Sequence, residues 1–509
     1  MTSENTTFDV VVVGGGVNGT GIAMDAAGRG LKVLLCEMND LASATSSNSS
    51  KLIHGGLRYL EHYEFRLVRE ALAERESLLR NSPHIMWPLR FRLPHRPHLR
   101  PAWMIRMGLF LYDNLAKRET LRSSESIKFN EKDPLKSDIT KGFEYSDGWA
   151  DDARLVVLAA KKAQECGATI LPRTKCVDAK RNKDSWDVSL QDMNDNSVHH
   201  ISTKAIVNAS GPWVSRLFSE SLAMKAPKNI RMVKGSHIVV PRLNRDQEAY
   251  ILQNEDERIV FVIPYEDDFS LVGTTDVDYE GDPNKAKISP EETKYLLDIV
   301  NSYFKRQLTE SEVVWSYSGV RPLMDDEQGD AKKASRDYTF EVDNADGMAP
   351  LISVFGGKLT TYRKLAEAAT NKLCQFFPQA GKPWTKNGIL PGGDFENHKT
   401  LEARLEEQYP WLPDSVCSRY VRTFGTKALH ILGDAKSIQD LGYRFAGTLY
   451  EREVKYLVKH EWAISSEDIL WRRTKQGLYA TEEEVRELDL YLARQDIPQA
   501  QTVALHHNA

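Results

Sequence analysis

The sequence is poor in several things, and each shortage excludes a class of protein. No run of about 18 apolar residues occurs, so no transmembrane helix is expected. The opening MTSENTTF has neither a basic start nor an apolar centre, so no secretory signal is expected. Cysteine is scarce. Cys36, Cys166, Cys176, Cys374 and Cys417 are odd in number and share no metal-ligand spacing. A disulfide framework and a zinc site are therefore not expected, no metal is assigned, and a reducing cytoplasm suits the chain. Positive charge is not in excess either. The 67 Lys and Arg residues face 72 Asp and Glu residues, for a net charge of −5, so no global field favours nucleic acid.

What remains is the composition of a globular enzyme, 41% hydrophobic and 27% charged over 509 residues. That length suggests about three structural units. Residues 9–37 read as strand, glycine turn, helix and strand. LRYLEHYEFRLVREALAERESLLRN has apolar residues at helical spacing, and the Pro- and Arg-rich stretch from Pro83 to Pro101 should be irregular. DDARLVVLAAKKAQECGATILP reads as a helix capped by Asp151 and Asp152, a glycine turn and a strand. Val-, Ile- and aromatic-rich segments between 230 and 345 suggest a second, mostly antiparallel sheet. ISVFGGKLTTYRKLAEAATNKL returns to the first unit, and charged helical patterns follow.

The expected fold is α/β, a Rossmann-like domain with a mainly antiparallel substrate domain and an α-helical C-terminal domain. The expected boundaries are 1–80, 145–229 and 346–390 for a discontinuous cofactor domain, 81–144 and 230–345 for the substrate domain, and 391–509 for the helices.

The turn GGGVNG places Gly14, Gly16 and Gly19 in a G-x-G-x-x-G pattern between strand and helix, with Val17 and Asn18 inside it. The first glycine allows the turn, the second lets backbone approach a pyrophosphate, and the third lets helix pack on sheet. A helix N-terminus then offers N–H groups to phosphate. LKVLLCE ends in Glu37, where a carboxylate can grip a ribose hydroxyl. A fingerprint at the extreme N-terminus, with the late VFGGKLTT and no second fingerprint, favours FAD over a nicotinamide cofactor.

ATSSNSSKLIHGGLRYLEHYEFRLVREAL resembles the flavin-contacting segment of the FAD-dependent glycerol-3-phosphate dehydrogenases, closest to the aerobic bacterial respiratory type. So do LRFRLPHRPHLRPAWMIRMGLFLYDNLAKR, GFEYSDGWADDARLV, KGSHIVVPR, LVGTTDVDYEGDP, YSGVRPL, SVFGGKLTTYRKLAE and LWRRTKQGL, which together span nearly the whole chain. The resemblance implies oxidation of sn-glycerol 3-phosphate to dihydroxyacetone phosphate. FAD would take the hydride and a membrane quinone the electrons. The protein would then sit on the cytoplasmic face of the inner membrane.

Several residues suit that chemistry. Arg58, Arg321 and Lys358, with Arg336 as a fourth, are candidate phosphate holders, and Tyr59 beside Arg58 joins the substrate set. Arg321 is also counted among the catalytic residues. His54 and His237 are the candidate proton acceptors, each with a purely structural histidine as its alternative. In the hydroxyl-rich loop Thr45, Ser46 and Ser50 are expected at the cofactor, with Leu52 and His54 after them. By resemblance, Ala209 and Gly211 of NASGPW, Gly357, Lys358, Leu359 and Thr360 of FGGKLTT, and backbone near Cys176 also approach FAD.

The segment from Trp87 to Arg118 mixes Arg90, Arg92, Arg96, Arg100 and Arg106 with aromatics, and Trp103, Met107, Phe110 and Leu111 share one helical face. It reads equally as an interfacial segment on anionic lipid or as a core helix with arginines on its wet side. Peripheral membrane attachment is expected. The C-terminal helices either cap the fold or mediate a homodimer. The competing functions are an amino-acid or amine oxidase, an oxidase that reduces oxygen directly, and a flavin-binding module without catalysis.

Overall fold

The computed structural model describes residues 7–57, 60, 63–256, 258–324 and 338–495. The opening valines form the centre of a largely parallel sheet. Thr7–Val13 is flanked by Val33–Cys36 and Thr169–Leu171 on one side, and by Val198–Asn208 and Leu351–Phe355 on the other. Val10, Val11 and Val12 are fully buried. A continuous apolar run is what a parallel strand covered on both faces requires. Helix α1 (Val17–Gly28) leaves the glycine turn to cover this sheet.

The second sheet is mostly antiparallel. Ile230–Pro241 pairs along its length with Trp315–Met324, and Phe269–Gly273, Ile259–Tyr265 and Ala249–Gln253 follow. Helices α2 (Phe65–Asn81) and α3 (Ala102–Asn114) cover one face of it. Val68 and Leu72 from α2, and Ile105, Leu109 and Tyr112 from α3, share a core with Phe91, Tyr145 and Ile263. The i, i+4, i+7 spacing on α3 turns its other residues outward: Trp103, Met104, Met107, Phe110 and Leu111 are all exposed.

Two expectations need correction. The stretch after Pro83 is not irregular, because Met86–Pro94 is a strand paired with Lys141–Ala150. Its side chains alternate despite the prolines: Leu89, Phe91 and Leu93 face the core, while Arg90 and Arg92 bind Glu144 on the neighbouring strand. The expected domain limits also cut across the sheets. Leu52–Ile53 lies inside the first expected cofactor segment and Lys141–Ala150 straddles residue 145, yet both strands belong to the antiparallel sheet. Conversely, Thr339–Asp343 pairs with Leu351–Phe355 at the edge of the cofactor sheet.

The C-terminal region has its own core, built on His398–Gln408, Asp414–Phe424, Glu451–Glu461 and Glu482–Arg494. It is tied to the rest by buried charge. Helix α4 (Asp152–Glu165), whose N-terminus Asp151 caps as expected, carries Arg154, and Arg154 forks onto Glu461. Lys475 binds both oxygens of Asp151 at 2.8 Å. Asp40 receives Arg472 at 2.7 Å and Arg473 at 2.7 and 2.8 Å.

Burial opposes ionisation of Asp40, but Arg473, Arg472 and Arg173 outweigh it and hold its carboxyl well below the usual range. A carboxyl depressed in the folded state stabilises it above the unfolded pKa of about 3.9, and that stabilisation is lost as pH falls. Arg473→Ala should therefore cost about 3 kcal/mol in denaturant unfolding at neutral pH, the low end for a broken buried pair because Arg472 remains. The deficit should shrink on acidification. A loss under about 1 kcal/mol would remove this pair as the anchor.

Candidate active site

A cavity of about 330 Å³ opens at the ends of the parallel strands. Gly14 adopts φ +116°, and a Cβ there would lie 2.5 Å from the Ala209 carbonyl oxygen. A Cβ on Gly19 would come within 1.9 Å of the Gly14 oxygen, so the third glycine serves packing, not lining. Val17 N–H donates to Ser46 Oγ at 3.0 Å, which brings the hydroxyl loop over the helix start. Glu37 accepts Gly15 N–H at 2.7 Å and Asn39 N–H at 2.8 Å. Asn18 donates to the Gly356 carbonyl at 3.2 Å, and its buried Oδ1 has no partner among the described residues. These groups fit a dinucleotide: a glycine cradle, a helix N-terminus, a strand-end carboxylate and an amide oxygen still to be satisfied.

Gly14, Gly16, Val17, Asn18, Glu37, Thr45, Ser46, Cys176, Ala209, Gly211, Gly357, Lys358 and Leu359 line this cavity. Burial pushes the Cys176 thiol up to about 12, so it is a neutral wall. Ser50, Leu52, His54 and Thr360 lie outside the lining, each for a visible reason. Ser50 Oγ is hydrogen-bonded to His237 Nε2 at 2.9 Å. Leu52 is buried in the core of the antiparallel sheet. His54 N–H donates to Thr360 Oγ at 3.1 Å, which ties the HGG loop to FGGKLTT. Arg58, Tyr59 and Arg336 lie outside the described residues.

His237 and Arg321, which also lie outside the cavity lining, come from paired strands of the antiparallel sheet. His237 is buried and stacked on Tyr317, with ring centroids 4.8 Å apart. Burial, with Arg321 and Lys51 adding repulsion, lowers its pKa well below the ordinary imidazole value, so it is a neutral ring. Two glycines make room. A Cβ at Gly273 would sit 2.1 Å from His237 Cδ2, and one at Gly235 would sit 2.2 Å from Arg321 Nη2. Arg321 is aimed by Asp276, its ion-pair partner, and by Thr274 Oγ at 3.0 Å. Neither was singled out from sequence. The available signal was an acid in GTTD, at a strand end in the same sheet as two assigned residues. The hydroxyl loop joins the two halves, since Thr45 Oγ donates to the Val320 carbonyl at 2.6 Å.

The family described as FAD dependent oxidoreductase matches residues 9–363, and the C-terminal domain of alpha-glycerophosphate oxidase matches residues 383–490. The chain is 54% identical to the aerobic glycerol-3-phosphate dehydrogenase of Escherichia coli (strain K12), over 93% of this chain and 95% of that protein. The chain belongs to the FAD-dependent glycerol-3-phosphate dehydrogenases. Within this family it is also 48% identical to the D-erythritol 1-phosphate dehydrogenase of Brucella abortus (strain 2308), over 95% of this chain and 97% of that protein. Its fold matches the glycerol-3-phosphate dehydrogenase from Bacillus halodurans complexed with FAD, with a TM-score of 0.75 at 26% identity, covering 98% of this chain and 93% of that one. FAD is the cofactor the family uses.

The Gly235 contact yields a test that leaves every charge in place. Gly235→Ala should displace the Arg321 guanidinium, leave FAD content unchanged and lower kcat/KM for glycerol 3-phosphate by at least about tenfold, the worth of one charge-assisted hydrogen bond. Unaltered turnover would separate Arg321 from the substrate.

Proposed function

We propose that the chain oxidises the C2 hydroxyl of sn-glycerol 3-phosphate to the ketone, giving dihydroxyacetone phosphate, and passes the electrons to a membrane quinone. One observation carries the reading most directly: a fixed cation and a buried neutral imidazole, on paired strands, are joined by one loop to the cofactor cavity. Arg321 and Lys358 hold the phosphate. His237, neutral and clamped between Tyr317 and Ser50, takes the hydroxyl proton. His54 fixes the loop through Thr360. Bound FAD supplies the two-electron acceptor. Holding substrate in register is worth about 7–11 kcal/mol of the barrier, which is why residues that aim Arg321 matter as much as its charge.

The 48% identical erythritol 1-phosphate enzyme makes chain length of the polyol the open choice. The test is anaerobic flavin bleaching. Glycerol 3-phosphate should bleach the flavin rapidly, and glycerol and amino acids should not. Bleaching by erythritol 1-phosphate in preference would move the substrate to the longer polyol. Arg321→Ala should lower kcat/KM by ~10–100-fold, from about 1.5–3 kcal/mol for a charge-assisted contact.

Peripheral attachment rests on α3. Trp103, Met107 and Phe110 are 67%, 52% and 59% exposed, a contiguous apolar face unusual for a surface helix. The arginines expected to meet lipid are mostly engaged elsewhere. Arg90 and Arg92 bind Glu144, Arg96 lies over Tyr303, and Arg106 donates to Ser124. The complementary charge comes instead from Arg69 and Lys117, which line an open cleft of about 710 Å³ at the end of α3 together with Arg118, itself paired with Asp113. An apolar face beside a cationic cleft suits an anionic bilayer, where quinone resides. No described helix is long and apolar enough to cross a membrane. The chain should float with anionic vesicles, less so at high salt, and Trp103→Ser with Phe110→Ser should abolish flotation. A soluble dimer that dissociates in the same double variant would assign the face to a second copy.

A further inference from the structure

The inner side of α3 reaches the loop that carries His54. Tyr112 is 3% exposed, and its phenol oxygen accepts the Gly55 N–H at 2.7 Å while donating to Asp147 Oδ1 at 2.7 Å. Asp147 is held in turn by Arg75 of α2, and both are buried at 2% exposure. Gly55 directly follows His54. A Cβ on Gly55 would lie 2.7 Å from the Tyr112 oxygen and 2.4 Å from Leu72, so the loop closes on these helices because that residue is glycine. His54 continues the connection through Thr360, two residues beyond Lys358. The phenol is thus fixed at both ends, and burial together with the Asp147 charge keeps it protonated by raising its pKa well above the ordinary value.

Resting on the membrane reading of α3 above, we infer that Tyr112 is a positioning residue for the reaction. Through Gly55 it sets the His54 loop, and because it rides on α3 it makes the substrate site respond to what the outer face of that helix touches. Packed interiors move in discrete steps, so a shift of α3 carries the phenol, and the phenol carries the loop. A bilayer that bound α3 better in one position than in another would bias this arrangement.

The test uses the full-length enzyme with its FAD. Turnover of glycerol 3-phosphate is measured with a water-soluble artificial electron acceptor, with and without vesicles of phosphatidylethanolamine and phosphatidylglycerol, and flotation is measured on the same samples. The wild type should float and gain kcat by at least about fivefold, the low end of ordinary coupling between sites. Tyr112→Phe should float equally and keep its FAD, but show the same low kcat with and without vesicles. Should Tyr112→Phe fail to hold FAD, Asp147→Asn carries the test. It preserves shape, weakens the hold on the phenol, and should lose most of the gain. Equal stimulation of variant and wild type would overturn the inference, as would a wild type that floats without any change in kcat. A wild type that does not float would bring down the membrane reading, and this inference with it.

Discussion

One buried carboxylate fixes the geometry of the cofactor side. Asp40 stands between Glu37, at the end of a central strand, and the hydroxyl loop that reaches Val17, Val320 and His237. A charge removed from water must be matched closely or it destabilises the fold. Asp40 is matched from residues more than four hundred positions away, Arg472 and Arg473. The start of the loop is thereby set by the C-terminal helices. Lys51 and Asp152, paired at 2.7 Å and both buried, set its end. The C-terminal region is a structural part of the cofactor site, although none of its described residues lines the cavity.

Close approach is the second theme. Glycines at 14, 55, 235 and 273 stand where a single methyl group would meet a carbonyl, a phenol, a guanidinium or an imidazole. Each marks a place where a functional group is pressed against backbone. Two of the groups admitted in this way, the His237 ring and the Tyr112 phenol, are shifted mainly by burial. His237 is kept neutral by burial beside cations, and Arg321 is aimed by its pairing with Asp276. A neutral imidazole and a fixed cation thus stand on paired strands of one sheet.

Much of this was legible in the sequence because it depends on local pattern. The strand, turn and helix around Gly14, Gly16 and Gly19 follow from valine runs and glycine spacing, and the helix after Asp151 follows from its cap. The Met86–Pro94 strand was obscured because prolines and arginines dominate its composition, although its alternation is regular. Domain limits failed for another reason. Leu52–Ile53 is a two-residue strand whose allegiance is decided by pairing with Gly148 and Trp149, a long-range choice that local pattern does not encode. The arginines between 90 and 106 carried a signal for lipid, but cross-strand acids claim Arg90 and Arg92, Tyr303 and Ser124 engage Arg96 and Arg106, and the cationic cleft draws on Arg69, which belongs to another helix. Asp276 was hidden because an aiming residue has no signature of its own. It becomes visible once the residue it aims is in place.

The pairing of Asn18 with Gly356, across 338 positions, has a temporal side. The nucleotide turn leaves the ribosome well before its facing wall, which is among the last parts of the two large sheets to be made. During most of synthesis the turn stands without Gly356, Gly357 and Lys358 opposite it, and without the arginines that hold Asp40. A nascent chain cannot close the flavin cavity until Gly356, Gly357 and Lys358 have emerged. Cofactor capture therefore waits on that late wall, and until then the apolar Thr7–Val13 strand must be kept from other partners.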